Sequence, residues 1–277
     1  MNVKMPIWKN ILFWIIALLI MASSAVYQRI TGPTHPYRGT VELHTQEEVG
    51  YRLLRSYNTD SPAPVNIVIP NRDITGKVAY KRYKSFDEWH LEDMTRSGDT
   101  LQFNLPQLPA AGKIMYYLKL GADEDTMVKT PADPVILRYK DPVPGWALVP
   151  HIIFIFVAMV FSTRTGIEGL ANGKRVYSLT VWTTILFVLG GFIFGPIVQK
   201  FAFGAYWTGF PFGHDLTDNK VLFSLIFWLV ALWRIPKSPK NGRWWAVAAS
   251  VSLLIIYLIP HSLLGSEIDF RELEDQL

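Results

Sequence analysis

The chain has 277 residues, half of them hydrophobic and 18% charged, with 27 Lys and Arg against 23 Asp and Glu and no cysteine. That apolar content excludes a disordered tail, and the missing thiols exclude a disulfide scaffold and Cys-ligated zinc or iron–sulfur centres. A mean hydropathy of +0.19 is high for a fully soluble globule and makes an integral membrane protein the leading class.

Taken in chain order, the first long apolar run is Ile11 to Tyr27, preceded by Lys4, Trp8 and Lys9. It is long enough to span a hydrocarbon core, so residues 1–27 read as an N-terminal transmembrane anchor. The same features, with Ser23, Ser24 and Ala25 after the apolar stretch, also fit a cleavable signal peptide; both readings export residues 28–145.

Residues 28–145 change texture. Short segments alternate apolar and polar positions: Val65, Ile67 and Ile69; Leu101, Phe103 and Leu105; Ile114, Tyr116, Leu118 and Leu120; Val135, Leu137 and Tyr139. Period two predicts strands with one buried face. Ser97-Gly98-Asp99 supplies a hairpin turn, and Asn58 to Pro64 and Gly121 to Asp125 read as loops. About seven strands with regularly spaced turns predict a small β-sandwich. The run Leu108-Pro109-Ala110-Ala111-Gly112-Lys113-Ile114-Met115-Tyr116-Tyr117 resembles immunoglobulin-like and fibronectin type III-like domains, over about residues 36–140. The resemblance implies a fold and brings no catalytic residue with it. His35, His44 and His90 lie in this domain and read as ordinary surface or edge-strand residues.

After Pro144-Gly145 the chain returns to lipid. Apolar runs at Trp146 to Phe161, Tyr177 to Val198, Val221 to Trp233 and Trp244 to Leu264 predict a four-helix transmembrane bundle over 146–265, with Trp146, Trp233, Trp244 and Trp245 at interfaces. The whole is then an α+β membrane protein with five transmembrane helices. Lys4, Lys9 and the two basic loops, 162–176 and 234–243, carry nine basic residues and one acid, Glu168, so that side bears +8 and the remainder −4. Positive residues stay inside, which predicts an N-in, C-out bacterial inner-membrane protein. Residues 28–145, the aromatic loop 199–220 and the acidic tail 266–277 are then periplasmic. The pI near 9.1 results from this topology and calls for no nucleic acid.

Topology also sends His151, His214 and His261 to one face. The loop Phe201 to Lys220 is too aromatic for a solvated linker and too rich in Gly and Pro for a continuous helix. The apolar run Val221 to Trp233 covers only about 20 Å at 1.5 Å per residue. Its helix must therefore begin near Leu216 or Thr217, which draws Asp215, Asp218, Asn219 and Lys220 toward membrane depth, where polar groups are costly and usually functional.

Imidazole and carboxylate together suit zinc, copper or iron, so His151, His214, His261, Asp215 and Asp218 are candidate metal ligands. His151 and His261 alternatively suit the two axial positions of a haem b, with Tyr206 and Trp207 of the loop against it. Glu267 and Asp269 are candidate supporting groups. The plainer readings are that Thr217 or Asp218 caps a helix, that Asp215 pairs with Lys220, and that His151 and His261 are wetted interfacial residues. No Walker loop, G-x-G-x-x-G, G-x-S-x-G or H-E-x-x-H occurs, so no nucleotide is expected. Three functions stand as expectations: a metal or haem site in a membrane redox or metal-handling system, a non-catalytic scaffold whose periplasmic domain binds a protein partner, and a metal-dependent membrane hydrolase. Whether the chain is an enzyme stays open.

Overall fold

The computed structural model of the protein describes residues 6–260 and 267–274. Two compact units emerge, one holding α-helices that flank the chain's middle and one holding all the strands.

The helical unit begins with α1, Ile7–Thr31. It continues with α2, Gly145–Leu170, and α3, Val176–Val188. A π-helical turn over Leu189–Phe194 leads directly into α4, Gly195–Phe203. The unit closes with α5, Leu216–Lys237, and α6, Pro239–Leu258. By length and composition α1, α2, the continuous segment Val176–Phe203 and α5 can each cross a membrane. The run over Val221 to Trp233 does extend to Leu216, as its shortness required. Helix α6 carries Asn241, Gly242 and Arg243 near its start.

Small and hydroxylated residues let these helices approach. Thr165 and Thr183 face each other at 3.1 Å between hydroxyls, and Thr165, Thr180, Thr183 and Thr184 each return their proton to the carbonyl four residues back. Such back-bonding satisfies a hydroxyl where water is excluded and leaves a smooth contact face. A Cβ on Gly166 would sit 2.5 Å from Ser250 Oγ, so glycine there sets how closely α2 and α6 pack. Trp228, Ala231, Ile235, Ala246, Ala249 and Val176 form a buried cluster beside this contact.

The π-turn has a local cause. Pro196 has no N–H to continue an α ladder, and Gly195 N–H instead reaches Gly190 O. Gly190 and Gly191 have Ile155 and Val221 where side chains would be, so the turn is pressed against α2 and α5.

The strand unit contains β1 Tyr37–Glu42, β2 Glu48–Leu53, β3 Ser56–Asn58, β4 Ala63–Val68 and β5 Thr75–Arg82. It continues with β6 His90–Asp93, β7 Thr95–Ser97, β8 Thr100–Leu105, β9 Lys113–Gly121 and β10 Val128–Lys140. Ten strands replace the expected seven or so because β3, β6 and β7 are too short for alternation to reveal. They pair as β1-β2, as β3-β10-β9-β5-β6 and as β4-β8-β7. All pairs are antiparallel except β3 with β10. Val65, Ile67, Leu101, Ile114, Tyr116, Leu118, Val135, Leu137 and Tyr139 enter one core shared by the three sheets. Gly98, at φ 59°, makes the β7–β8 turn.

Two buried tyrosines tie this core to backbone. Tyr139 OH donates to Pro106 O at 2.9 Å and accepts from Ala63 N, while Tyr116 OH donates to Leu54 O at 2.8 Å. The segment around α7, Phe270–Glu274, belongs to the strand unit. Ile268 N–H donates to Ala111 O and Arg271 N–H to Lys84 O. The Phe270 ring lies under the Arg82 guanidinium, 4.8 Å away. Over 267–274 the acidic tail is thus a docked segment of the strand unit.

Candidate functional site

The connection from α4 to α5 is an organised loop. Gly204, at φ 83°, ends α4 with its N–H on Lys200 O, a left-handed cap open to glycine. Asp215 is the N-cap of α5: its Oδ1 accepts from Thr217 N at 2.7 Å and from Asp218 N at 3.4 Å. This caps two of the orphan donors of the first turn and places negative charge at the positive helix end. The cap is therefore Asp215, rather than Thr217 or Asp218.

Asp218, in the first turn of the helix, is 6% exposed. Its Oδ2 accepts from Thr208 N at 2.6 Å, Gly209 N at 3.0 Å, Gln199 Nε2 at 3.1 Å and Thr208 Oγ1 at 3.2 Å. A carboxylate receiving that many donors holds the loop from α4 on one side and from its own backbone on the other. Asn219 adds a bond from Phe210 N at 2.7 Å, and Asp215 N donates to Thr208 O at 3.0 Å. Gly209 fits where a Cβ would strike Asp218 Cβ at 2.6 Å. Trp207 stacks on Phe192 with centroids 5.7 Å apart and donates Nε1–H to Phe210 O. The braced loop then leaves Tyr206, Phe210 and Phe212 exposed, Phe212 by 82%.

His151, in α2, is hydrogen-bonded through Nδ1 to Gly190 O at 2.9 Å, the carbonyl inside the π-turn. His214 is exposed. His261 lies outside the described residues. Among the described residues no three His, Asp or Glu side chains come together in a group able to hold a metal ion. The carboxylates singled out from the sequence all have partners in the structure. Glu267 forms ion pairs with Lys84 and Lys113 in the strand unit, and Asp269 pairs with Arg271 at 2.7 Å. Burial alone would raise the Glu267 carboxyl, but the two lysines hold it below its ordinary value. Arg271 holds Asp269 at about 2.

Sequence reasoning placed Arg164 and Glu168 in a basic loop. Helix α2 instead runs to Leu170, so both are inside it and buried. Their charges meet at 2.7 Å across one turn, and Arg164 Nη2 donates to Asn10 Oδ1 at 2.9 Å, tying α1 to α2. The i, i+4 spacing of opposite charges was the available signal. Lys220 was similarly open to reassignment: its Nζ donates to Ile259 O at 2.8 Å and Pro260 O at 3.2 Å, terminating α6 from α5. Neither a protein-family model nor a curated protein sequence matches this chain.

Proposed function

We propose that this chain is a polytopic bacterial inner-membrane scaffold, with N-in, C-out topology and α6 as the fifth span, whose periplasmic domain binds a protein partner. The single observation that carries the reading is the employment of the outer carboxylates. Asp215 and Asp218 hold a loop in a set conformation from which Tyr206, Phe210 and Phe212 project. Aromatic side chains presented on a rigid backbone favour contact with lipid or protein over chemistry. An immunoglobulin-like identity for the strand unit rests on the pairing order. With β4, β5, β7, β8, β9 and β10 taken as strands B, C, D, E, F and G, the sheets read G-F-C and B-E-D. Strand β6 is an edge, and Phe86, Trp89 and Leu91 beside and within it are exposed.

A second reading keeps the metal or haem b site and rests on His151. Donation from Nδ1–H to the Gly190 carbonyl would fix the ring and leave Nε2 as a lone-pair donor, the arrangement that ligating histidines commonly have. His151 with His261 would then be the ligand pair.

One experiment separates the two. Full-length protein purified from native membranes without added metal is assayed for bound metals and for a visible spectrum, beside a His151→Ala variant. In parallel, a photocrosslinking residue replaces Leu91 in cells. The scaffold reading expects a discrete crosslinked protein at Leu91 and a colourless, metal-free preparation. A stoichiometric metal or haem band that His151→Ala removes, with no crosslink at Leu91, overturns it in favour of the second reading.

A further inference from the structure

The basic end of the helical unit contains a cavity of about 620 Å³ between the start of α1 and the α2–α3 turn. Lys9, Asn10, Arg164, Lys174 and Arg175 line it together with one acid, Glu168. Glu168 is already engaged: Oε2 faces Arg164 Nη1 at 2.7 Å, and Oε1 accepts the backbone N–H of Arg175 at 3.2 Å. The lining therefore carries four cations against a single, internally used anion.

Arg164 is the centre of this arrangement. Its residue is 1% exposed, and Phe13 and Trp14 pack their rings 5.2 and 5.6 Å from its guanidinium carbon. Nη2 is bonded to Asn10, whereas Nε has no hydrogen-bond partner among the described residues. Nη1 touches Glu168 at salt-bridge distance without hydrogen-bond alignment. A desolvated guanidinium N–H with nothing to donate to is costly, and Lys9, Lys174 and Arg175 line the same cavity and add to its positive charge. An anion with several oxygens in the cavity would offset its excess of positive charge, since guanidinium matches phosphate geometry and lysine supplies point charge.

We propose that this cavity binds a phosphate group, carried either by an anionic phospholipid headgroup at the membrane surface or by a soluble phosphate compound. The site does not depend on the scaffold reading. Its place at the ends of α1, α2 and α3, where basic pockets between membrane helices meet headgroups, suits the lipid source. The cavity's volume is in the range that small-ligand pockets occupy, which suits the soluble one.

The test uses full-length protein and a Lys9→Gln, Arg175→Gln double variant, which leaves the Arg164–Glu168 pair and the Arg175 backbone bond in place. An Arg234→Gln, Lys237→Gln variant removes the same charge from residues outside this cavity and controls for general electrostatics. Delipidated protein is returned to nanodiscs of phosphatidylcholine with a minor share of phosphatidylglycerol, and retained lipid is counted by native mass spectrometry. Separately, inorganic phosphate and glycerol phosphate are titrated in detergent against thermal unfolding. Preferential retention of phosphatidylglycerol, weakened by about tenfold in the cavity variant and unchanged in the control, supports the lipid source. A saturable shift with soluble phosphate, lost in the cavity variant only, supports the soluble source. No preference in either arm, or equal losses in cavity and control variants, overturns the proposal.

Discussion

Replacing Asp218 by alanine tests whether the loop between α4 and α5 is braced in the way its hydrogen bonds indicate. The change removes the acceptor of two backbone N–H groups, one amide and one hydroxyl at 2.6 to 3.2 Å, in a residue 6% exposed. Each buried donor left without a partner costs about 1–3 kcal/mol, and because these donors act as a unit their losses do not add; about 3 kcal/mol in total is expected. Asp215→Ala, by contrast, removes an N-cap worth about 1 kcal/mol. Asp218→Asn keeps an acceptor while giving up the charge, and with charged bonds about twice as strong as neutral ones it falls between them. The assay is hydrogen exchange on the full-length protein in detergent, read over peptides covering 204–215. Three kcal/mol corresponds to an increase in exchange of about two orders of magnitude for Asp218→Ala, against about fivefold for Asp215→Ala. If loop protection is unchanged in Asp218→Ala, or Asp215→Ala is the more damaging, the carboxylate does not hold the loop and the case for a scaffold loses its main support.

Three further expectations concern the rest of the molecule. Asp87 receives Arg82 Nη2 at 2.6 Å and Nε at 2.8 Å, and the guanidinium holds its carboxyl at about 2 against an ordinary 3.8. Because the folded value is the lower one, the pair stabilises above about pH 4 and that contribution is lost as pH falls toward 2. After screening of these partly exposed charges it amounts to about 1 kcal/mol, so exchange at β5 should accelerate on acidification in the native chain and little in Asp87→Asn. Gly166→Leu places bulk where even a Cβ is 2.5 Å from Ser250 Oγ, and should cost about 1–3 kcal/mol by forcing α2 from α6. Thermal unfolding in detergent checks this, with Gly145→Leu, where nothing lies within 4 Å, as the harmless comparison. Tyr139→Phe strands Ala63 N–H and Pro106 C=O in the strand core and should cost about 1–2 kcal/mol, read as faster exchange in β4; an unchanged rate would mean that water replaces the phenol.

Much of this organisation was present in the sequence because it depends on local pattern. Alternation at Val65-Ile67, Leu101-Leu105, Ile114-Leu120 and Val135-Tyr139 identified strands, since period two assigns a face whatever the partner is. The apolar runs identified α1, α2, α3 to α4 and α5, and the shortness of Val221 to Trp233 put the start of α5 near Leu216 or Thr217, where it begins at Leu216. The three-residue β3 and β7 escaped, because they are defined by their hydrogen-bonded neighbours and not by their own composition.

Side-chain employment was decided by tertiary structure. A carboxylate's ligand-binding capacity is a property of its type, but whether Asp218 is free to use it depends on Thr208, Gly209 and Gln199 arriving from the other side of a turn. Glu267 reads as a neighbour of the last membrane helix in sequence and is held by Lys84 and Lys113 in the strand unit. Arg164 reads as a loop charge and becomes a buried guanidinium once α2 extends to Leu170 and α1 supplies Asn10. In each case charge and residue type were legible one position at a time, whereas pairing is a relation between distant positions that only the packed chain brings within hydrogen-bonding distance.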